Sequence, residues 1–264
     1  MISHRLLTHE AVSQIIGTID SDKHLLFYSY LSQRKEKAQF VGQFVDSNLM
    51  AVLAYLNELS FPAFSFHRIN EEKVFFPELV SFTRDTFQLE KNAICGTILC
   101  PSDLQLFHSF GLIAGRPKKF FTMKHQDESK LLTSDIAKLV KDEEFPQVMD
   151  FLCKGGMRFF TQSELEKCPF LGIKNGGDFI AVGGFHFYDS QLVELGNIVT
   201  REDHRGKGIA KLLTSQLTHL GKQLSSNVYL GVLAENIPAV KVYESLGYQI
   251  VSEQVIVDFT LALS

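Results

Sequence analysis

The chain has no tryptophan, only 7 prolines among 264 residues, and no C-x2-C pair among its 4 cysteines. Each shortage excludes something. Cys95, Cys100, Cys153 and Cys168 stand apart from one another and from any histidine cluster, so neither a metal site nor a disulfide framework is indicated and all four read as free, structural thiols. No apolar stretch approaches the length of a membrane helix, and polar residues break every run in MISHRLLTHEAVSQIIGTID, which excludes a signal h-region. A soluble, cytoplasmic protein with no membrane partner is the expectation. Neither sign of charge dominates: 26 Lys and Arg against 30 Asp and Glu give a net charge of -4, which argues against nucleic acid as a partner.

What is present is apolar mass. With 45% hydrophobic residues and 23 phenylalanines the chain has material for well-buried cores, and its length suits two domains. The polar stretch at 125–135, HQDESKLLTSD, is the best linker and places a boundary between 127 and 128, giving an N-terminal α/β domain at 1–127 and a second domain at 128–264.

In the second domain a short strand at 138–140 precedes a helix capped by Asp142, in which Phe145, Val148, Met149 and Leu152 fall at helical spacing before Gly155-Gly156. A short helix at 162–167 follows. Strands at 170–174, 179–188 and 191–200 form a meander whose first turn is Asn175-Gly176-Gly177-Asp178. Ile209, Leu212, Leu213, Leu217, Leu220 and Leu224 make one apolar stripe on a helix at 208–224. A buried strand at 227–234, a helix opened by Asn236 and Pro238 and closed by Gly247, and strands at 248–252 and 255–263 complete an α/β layer on a mixed, largely antiparallel sheet.

The chemistry is concentrated in Arg205-Gly206-Lys207-Gly208-Ile209-Ala210, between a strand and a helix. Unpaired N–H groups at a helix start attract phosphates, glycines let the backbone approach an anion, and Arg205 and Lys207 add matching charge. Two common phosphate loops fail on spacing. A Walker A loop needs Ser or Thr after Gly206-Lys207 and finds Gly208; a dinucleotide fingerprint needs a small residue at 211 and finds Lys211. A phosphotransferase is disfavoured on the same ground.

The segment 130–264 resembles the GCN5-related N-acetyltransferase (GNAT) superfamily. Its loop motif is met by Arg205, Gly208 and Ala210, and its second motif by Asn236, Ala239, Tyr243, Gly247 and Tyr248. The stretch GNIVTREDHRGKGIA is similar to the FR47-like, glycine-N-acyltransferase-related branch. The resemblance implies a GNAT fold with acetyl-CoA, or another acyl-CoA, as donor and no metal. It implies that main-chain groups of Ile198, Val199 and Thr200 hold the pantetheine and thioester, that amides of Arg205, Gly206, Lys207, Gly208, Ile209 and Ala210 hold the pyrophosphate, and that Asn236 and Ala239 lie beside them. Tyr243 is the candidate acid for the departing thiolate, and Glu194 the candidate base or water-organiser. On a regular strand Glu194 shares a face with Gly196, Ile198 and Thr200 rather than Val199, and a bulge would change that. His186 and His204 are lesser candidates.

The activity implied is transfer of acetyl from acetyl-CoA to a primary amine by direct attack in a ternary complex, with a small amine or amino acid favoured over protein lysine as acceptor. A non-catalytic acyl-CoA sensor is the alternative. A shift of 136 residues lays Phe107-His108-Ser109-Phe110-Gly111-Leu112 on Tyr243-Glu244-Ser245-Leu246-Gly247-Tyr248, which suggests that the first half is a degenerate copy of the same fold or else a chance match. In that copy Cys100 stands for Asn236, Phe107 stands for Tyr243, and residues 69–76 lack a glycine loop. The aromatics Phe61, Phe64, Phe66, Phe75 and Phe76 serve either its core or an acceptor pocket.

Overall fold

The computed structural model describes residues 1–70, 74–157, 160 and 162–263. They form two compact units, one of 1–120 with 253–264 and the other of 121–252. The chain passes between units twice, around 120 and 252, where the sequence places one boundary between 127 and 128. Both passages occur inside strands.

The first unit contains β1 (Ile2–Leu6), α1 (His9–Ile16), α2 (Leu25–Leu31), β2 (Gln39–Val45), β3 (Asn48–Leu56), β4 (Ala63–Arg68), α3 (Phe76–Thr86), β5 (Cys95–Leu99) and α4 (Pro101–Ser109), and the chain then enters β6 (Lys118–His125). Strands β1 to β5 follow one another in space, antiparallel except for the parallel pair β4–β5. Side chains alternate across β3: Ala51, Leu53 and Tyr55 join the core under α3 and α4, while Val52, Ala54 and Leu56 join the core under α1 and α2. Phe64, Phe66 and Phe76 are buried in the first of these cores, Phe61 packs partly buried against the second, and Phe75 is exposed. Core packing accounts for the first four.

The second unit contains β7 (Lys138–Leu139), α5 (Phe145–Lys154), α6 (Gln162–Lys167), β8 (Phe170–Asn175), β9 (Asp178–Tyr188), β10 (Val193–Thr200), α7 (Ile209–Lys222), β11 (Val228–Leu233) and α8 (Ile237–Ser245), and leads into β12 (Tyr248–Phe259). Its strands β7 to β11 again follow one another, with β10–β11 the parallel pair. Element order, strand order and the position of the parallel pair are the same in both units. The duplicated fold is a mixed α/β architecture, and the aligned segments around Phe107 and Tyr243 end equivalent helices, α4 and α8.

Three sequence expectations change. The strands expected at 248–252 and 255–263 are one strand, β12: the polar residues between them find partners, Gln254 donating to the Lys23 carbonyl at 3.1 Å and Glu253 pairing with Lys119 at 2.7 Å. Asp142 opens a short 3-10 turn, and α5 starts at Phe145 with a proline in its first turn. The expected linker is pinned: His125 is buried with Nε2 3.0 Å from the Leu246 carbonyl, Ser215 Oγ accepts from Leu132 N–H at 2.7 Å, and Gln216 Oε1 accepts from Ala137 N–H at 2.8 Å. Among the described residues no helix is long and apolar enough to cross a membrane.

Gly247 turns α8 into β12 at φ +93°, and a Cβ there would lie 2.4 Å from the Asp127 carbonyl oxygen. Gly247→Ala therefore meets both a backbone penalty and a clash with main chain. It should lower unfolding free energy by about 2–3 kcal/mol, read as a lower urea midpoint at unchanged m-value.

Candidate active site

The site begins where a parallel ladder stops. Strands β10 and β11 pair at Val193↔Val228, Glu194↔Tyr229 and Leu195↔Leu230, and no further, although both strands continue. On the other side of β10, Gly196 pairs with Gly184 and Val199 with Val182, three steps against two. One residue is extra. Asn197 lies at the irregularity with φ +55°, a conformation that asparagine tolerates better than most side chains. From Gly196 onward the edge of β10 that faces β11 carries backbone groups outside that ladder.

The bulge decides which side chains share a face. Because Val199 is in register with Val182 two residues from Gly184, it joins the face of Gly196 and Glu194, and its side chain lies against Gly155 at the end of α5. Ile198 instead meets Leu217 of α7 over Gly183. Alternation from Val193, which packs beside Gly221 of α7, puts Asn197 on the α7 side, and alternation from Ile198 puts Thr200 there too. Asn197 Nδ2 and Thr200 Oγ1 are both buried without a hydrogen-bond partner among the described residues.

After β10 the chain makes a 3-10 turn at Glu202–His204 and reaches the glycine loop. Arg205 Nε donates to the Thr200 carbonyl at 3.1 Å and Lys207 Nζ to the Asp203 carbonyl at 2.9 Å, folding the loop back on the strand end. Asp203 sits between Arg201 Nε at 2.7 Å and His204 Nδ1 at 2.8 Å, and hydrogen bonds from Arg201 and then His204 hold its carboxyl far below the usual range. Gly206 and Gly208 have φ +74° and +79°, and a Cβ on either would project into open space. Gly208 supplies no side-chain cap to α7, and the first turn of α7 has no acidic residue. The orphan N–H groups of that turn, with the helix dipole behind them, fit an anion with several acceptor oxygens.

Helix α8 contributes the second motif. Asn236 Oδ1 accepts from Ala239 N–H at 3.3 Å, which brings those two residues together as a helix cap. Tyr243 is 9% exposed, and burial pushes its phenol up to about 12. Behind it Tyr248 is buried, with its hydroxyl 2.7 Å from Thr218 Oγ1. Glu194 is half-buried within the paired part of β10, just before the strands part. His186 Nδ1 lies 3.4 Å from Glu164 Oε1 of α6, a pairing that the sequence reading missed because the two residues are 22 apart and on different elements. Asn197 was also missed, although a Gly-Asn pair inside a strand is a legible bulge signal.

The first unit has the same frame without this chemistry. Strand β4 ends at Arg68, whose Nε bonds Asp103 Oδ1 at 2.6 Å and whose Nη2 bonds Ser102 Oγ at 2.7 Å, tying the strand end to the start of α4. Cys100 supplies no cap, and Phe107 is buried among Phe66, Phe76 and Phe259. Of the stretch 69–76, residues 71–73 lie outside the described residues.

Residues 134–248 match the family model described as Acetyltransferase (GNAT) family. No curated protein sequence matches the chain. Among solved structures it is similar to a Drosophila protein at 14% identity, covering 98% of this chain and 99% of that one with a TM-score of 0.72. It is similar to a GNAT-family acetyltransferase from Colwellia psychrerythraea at 15% identity, covering 98% and 99% with a TM-score of 0.60. A tandem GNAT protein from the clavulanic acid biosynthesis pathway aligns over 100% of both chains at 10% identity with a TM-score of 0.66. These likenesses carry the fold. The family match covers the second unit's part of the chain, and the whole chain is similar in fold to a tandem GNAT protein.

Gly208→Asp would put a side chain at φ +79° and a carboxylate into the open seat of the loop. Calorimetric titration with acetyl-CoA should show binding abolished. Unchanged affinity would remove the loop as the phosphate seat.

Proposed function

We propose that the second unit is an acyl-CoA-dependent N-acyltransferase that moves an acyl group, most simply acetyl, to a primary amine within a ternary complex. The observation that carries this reading is the ending of the β10–β11 ladder at Leu195↔Leu230 beside the uncapped start of α7. Together they offer unpaired strand backbone for amides and a carbonyl, and helix N–H groups for a pyrophosphate.

Acyl-CoA supplies the activated carbonyl and a thiolate leaving group. The main chain of Ile198, Val199 and Thr200 would hold the pantetheine and thioester. Amides from Arg205 to Ala210 would hold the pyrophosphate, with the loop cations around them and Asn236 and Ala239 alongside. As the C–N bond forms and the C–S bond breaks, the amine nitrogen loses one proton and the sulfur gains one. Glu194, beside the gap and on the face of Val199, is placed to take the first directly or through water.

Tyr243 is protonated throughout the neutral range, so it is always a donor. Moving its proton fully to a thiolate with an aqueous pKa of about 8.5 is uphill by roughly 5 kcal/mol at 1.36 kcal/mol per unit. Burial of the sulfur in the same gap raises its own proton affinity and narrows that difference. The phenol therefore serves first as a hydrogen-bond donor to the forming thiolate, and transfer follows as the C–S bond opens.

The proposal extends to two finer assignments. The match of GNIVTREDHRGKGIA favours the FR47-like branch and, through it, a small amine or amino acid over protein lysine as acceptor. The half-buried carboxylates Glu164 and Glu194 complement a cationic amine on the α6 side.

Titration with acetyl-CoA and a panel of amines tests the reading. Saturable donor binding with release of free thiol in the presence of an amine is expected, and absence of donor binding at millimolar concentration would overturn it. In Tyr243→Phe, kcat should fall by about 10²-fold with acetyl-CoA affinity within a few-fold of the parent. Equal loss in both would assign Tyr243 to packing.

A further inference from the structure

The buried polar atoms on β10 extend the acyl-CoA reading on which this inference rests. Asn197 Nδ2 and Thr200 Oγ1 are both buried and unpartnered, and both belong to the short stretch of β10 beyond the β10–β11 ladder. Polar atoms of this kind are destabilising unless something bonds them, and native proteins leave few of them. Neighbours on the strand have no such deficit, since Val193, Leu195 and Val199 are apolar and buried. Asn197 also holds φ +55°. A strained backbone together with an unmet donor is a poor choice for packing alone and a reasonable one for a ligand.

Order along the strand assigns the two atoms to different parts of one ligand. The phosphate loop follows Thr200, so a molecule seated there by its pyrophosphate runs back along β10, passing Thr200 first and Asn197 last. Asn197 Nδ2 is a donor and calls for a carbonyl oxygen. Thr200 Oγ1 both donates and accepts, which suits an amide.

We propose that the side chain of Asn197 donates a hydrogen bond to the acyl carbonyl oxygen of the thioester, and that the Thr200 hydroxyl bonds a pantetheine amide. Asn197 then holds the carbonyl oxygen at the position where charge builds as the amine adds, alongside whatever main-chain N–H the strand presents. The oxygen-binding site thus includes a side chain that mutation can delete.

The experiment compares three ligands by calorimetric titration: acetyl-CoA, S-ethyl-CoA, which lacks the carbonyl, and CoA. The parent protein should bind acetyl-CoA more tightly than S-ethyl-CoA by about tenfold, the scale of one buried hydrogen bond. Asn197→Gly keeps a residue at ease with positive φ while removing the amide. It should bind S-ethyl-CoA as the parent does and lose the preference for acetyl-CoA. Asn197→Asp, of the same shape with an acceptor in place of the donor, should lose the preference or reverse it, and it carries the test if the glycine variant does not fold. Thr200→Val should weaken all three ligands alike. A parent that binds none of the ligands overturns the acyl-CoA reading and this proposal with it. A parent that binds them, with the acetyl preference intact in the Asn197 variants, overturns only the Asn197 assignment, and full affinity of Thr200→Val for all three overturns the Thr200 assignment.

Discussion

A parallel pair of strands offers continuous backbone hydrogen bonding only while both strands keep register. In the second unit the extra residue at Asn197 ends that condition for β10, and three things depend on it. The β10–β11 ladder stops, so strand backbone beyond Leu195 is available to a ligand. Val199 moves onto the face of Glu194, so the candidate base shares a face with one of the residues proposed to hold the thioester. Ile198 moves onto α7, which seats the helix whose start is uncapped. One bulge therefore couples the parting of the strands, the glycine loop and the face that carries Glu194.

The two units show how little of this is inherent in the frame. Both have the same order of strands and helices and the same parallel pair. In the first unit the strand end carries Arg68, and its bonds to Asp103 and Ser102 fasten β4 to the start of α4. Burial pushes the Asp103 carboxyl up, and hydrogen bonding with Cys100 and the Arg68 guanidinium oppose that shift. In the second unit Thr200 and Ala239 occupy the comparable places and no such clasp forms among the described residues. Phe107 completes the contrast, since its ring fills with carbon the position where Tyr243 offers a hydroxyl.

The glycine loop and the Asn236 helix were legible because both depend on local chemistry: glycine at positive φ, a capping side chain, an apolar stripe of period 3.6. Helix and strand positions in the second half followed from the same kind of signal. The return of 253–264 to the first unit was not legible. The polar stretch at 125–135 looks like a linker only because its partners Leu246 and Ser215 lie 121 and 83 residues away in sequence. Glu253-Gln254 reads as a break between two strands for the same reason, its partners being Lys119 and Lys23.

The amino-acid sequence by itself determined the glycine loop and its place at the start of a helix, since a turn built from its own glycines needs only its own residues in order. Tertiary structure alone decided the environment of each candidate group: that burial would push Tyr243 up to about 12, that Glu164 would stand behind His186, and that Val199 would turn toward Glu194. Burial, long-range pairing and strand register are properties of distant segments meeting, and no local pattern encodes them.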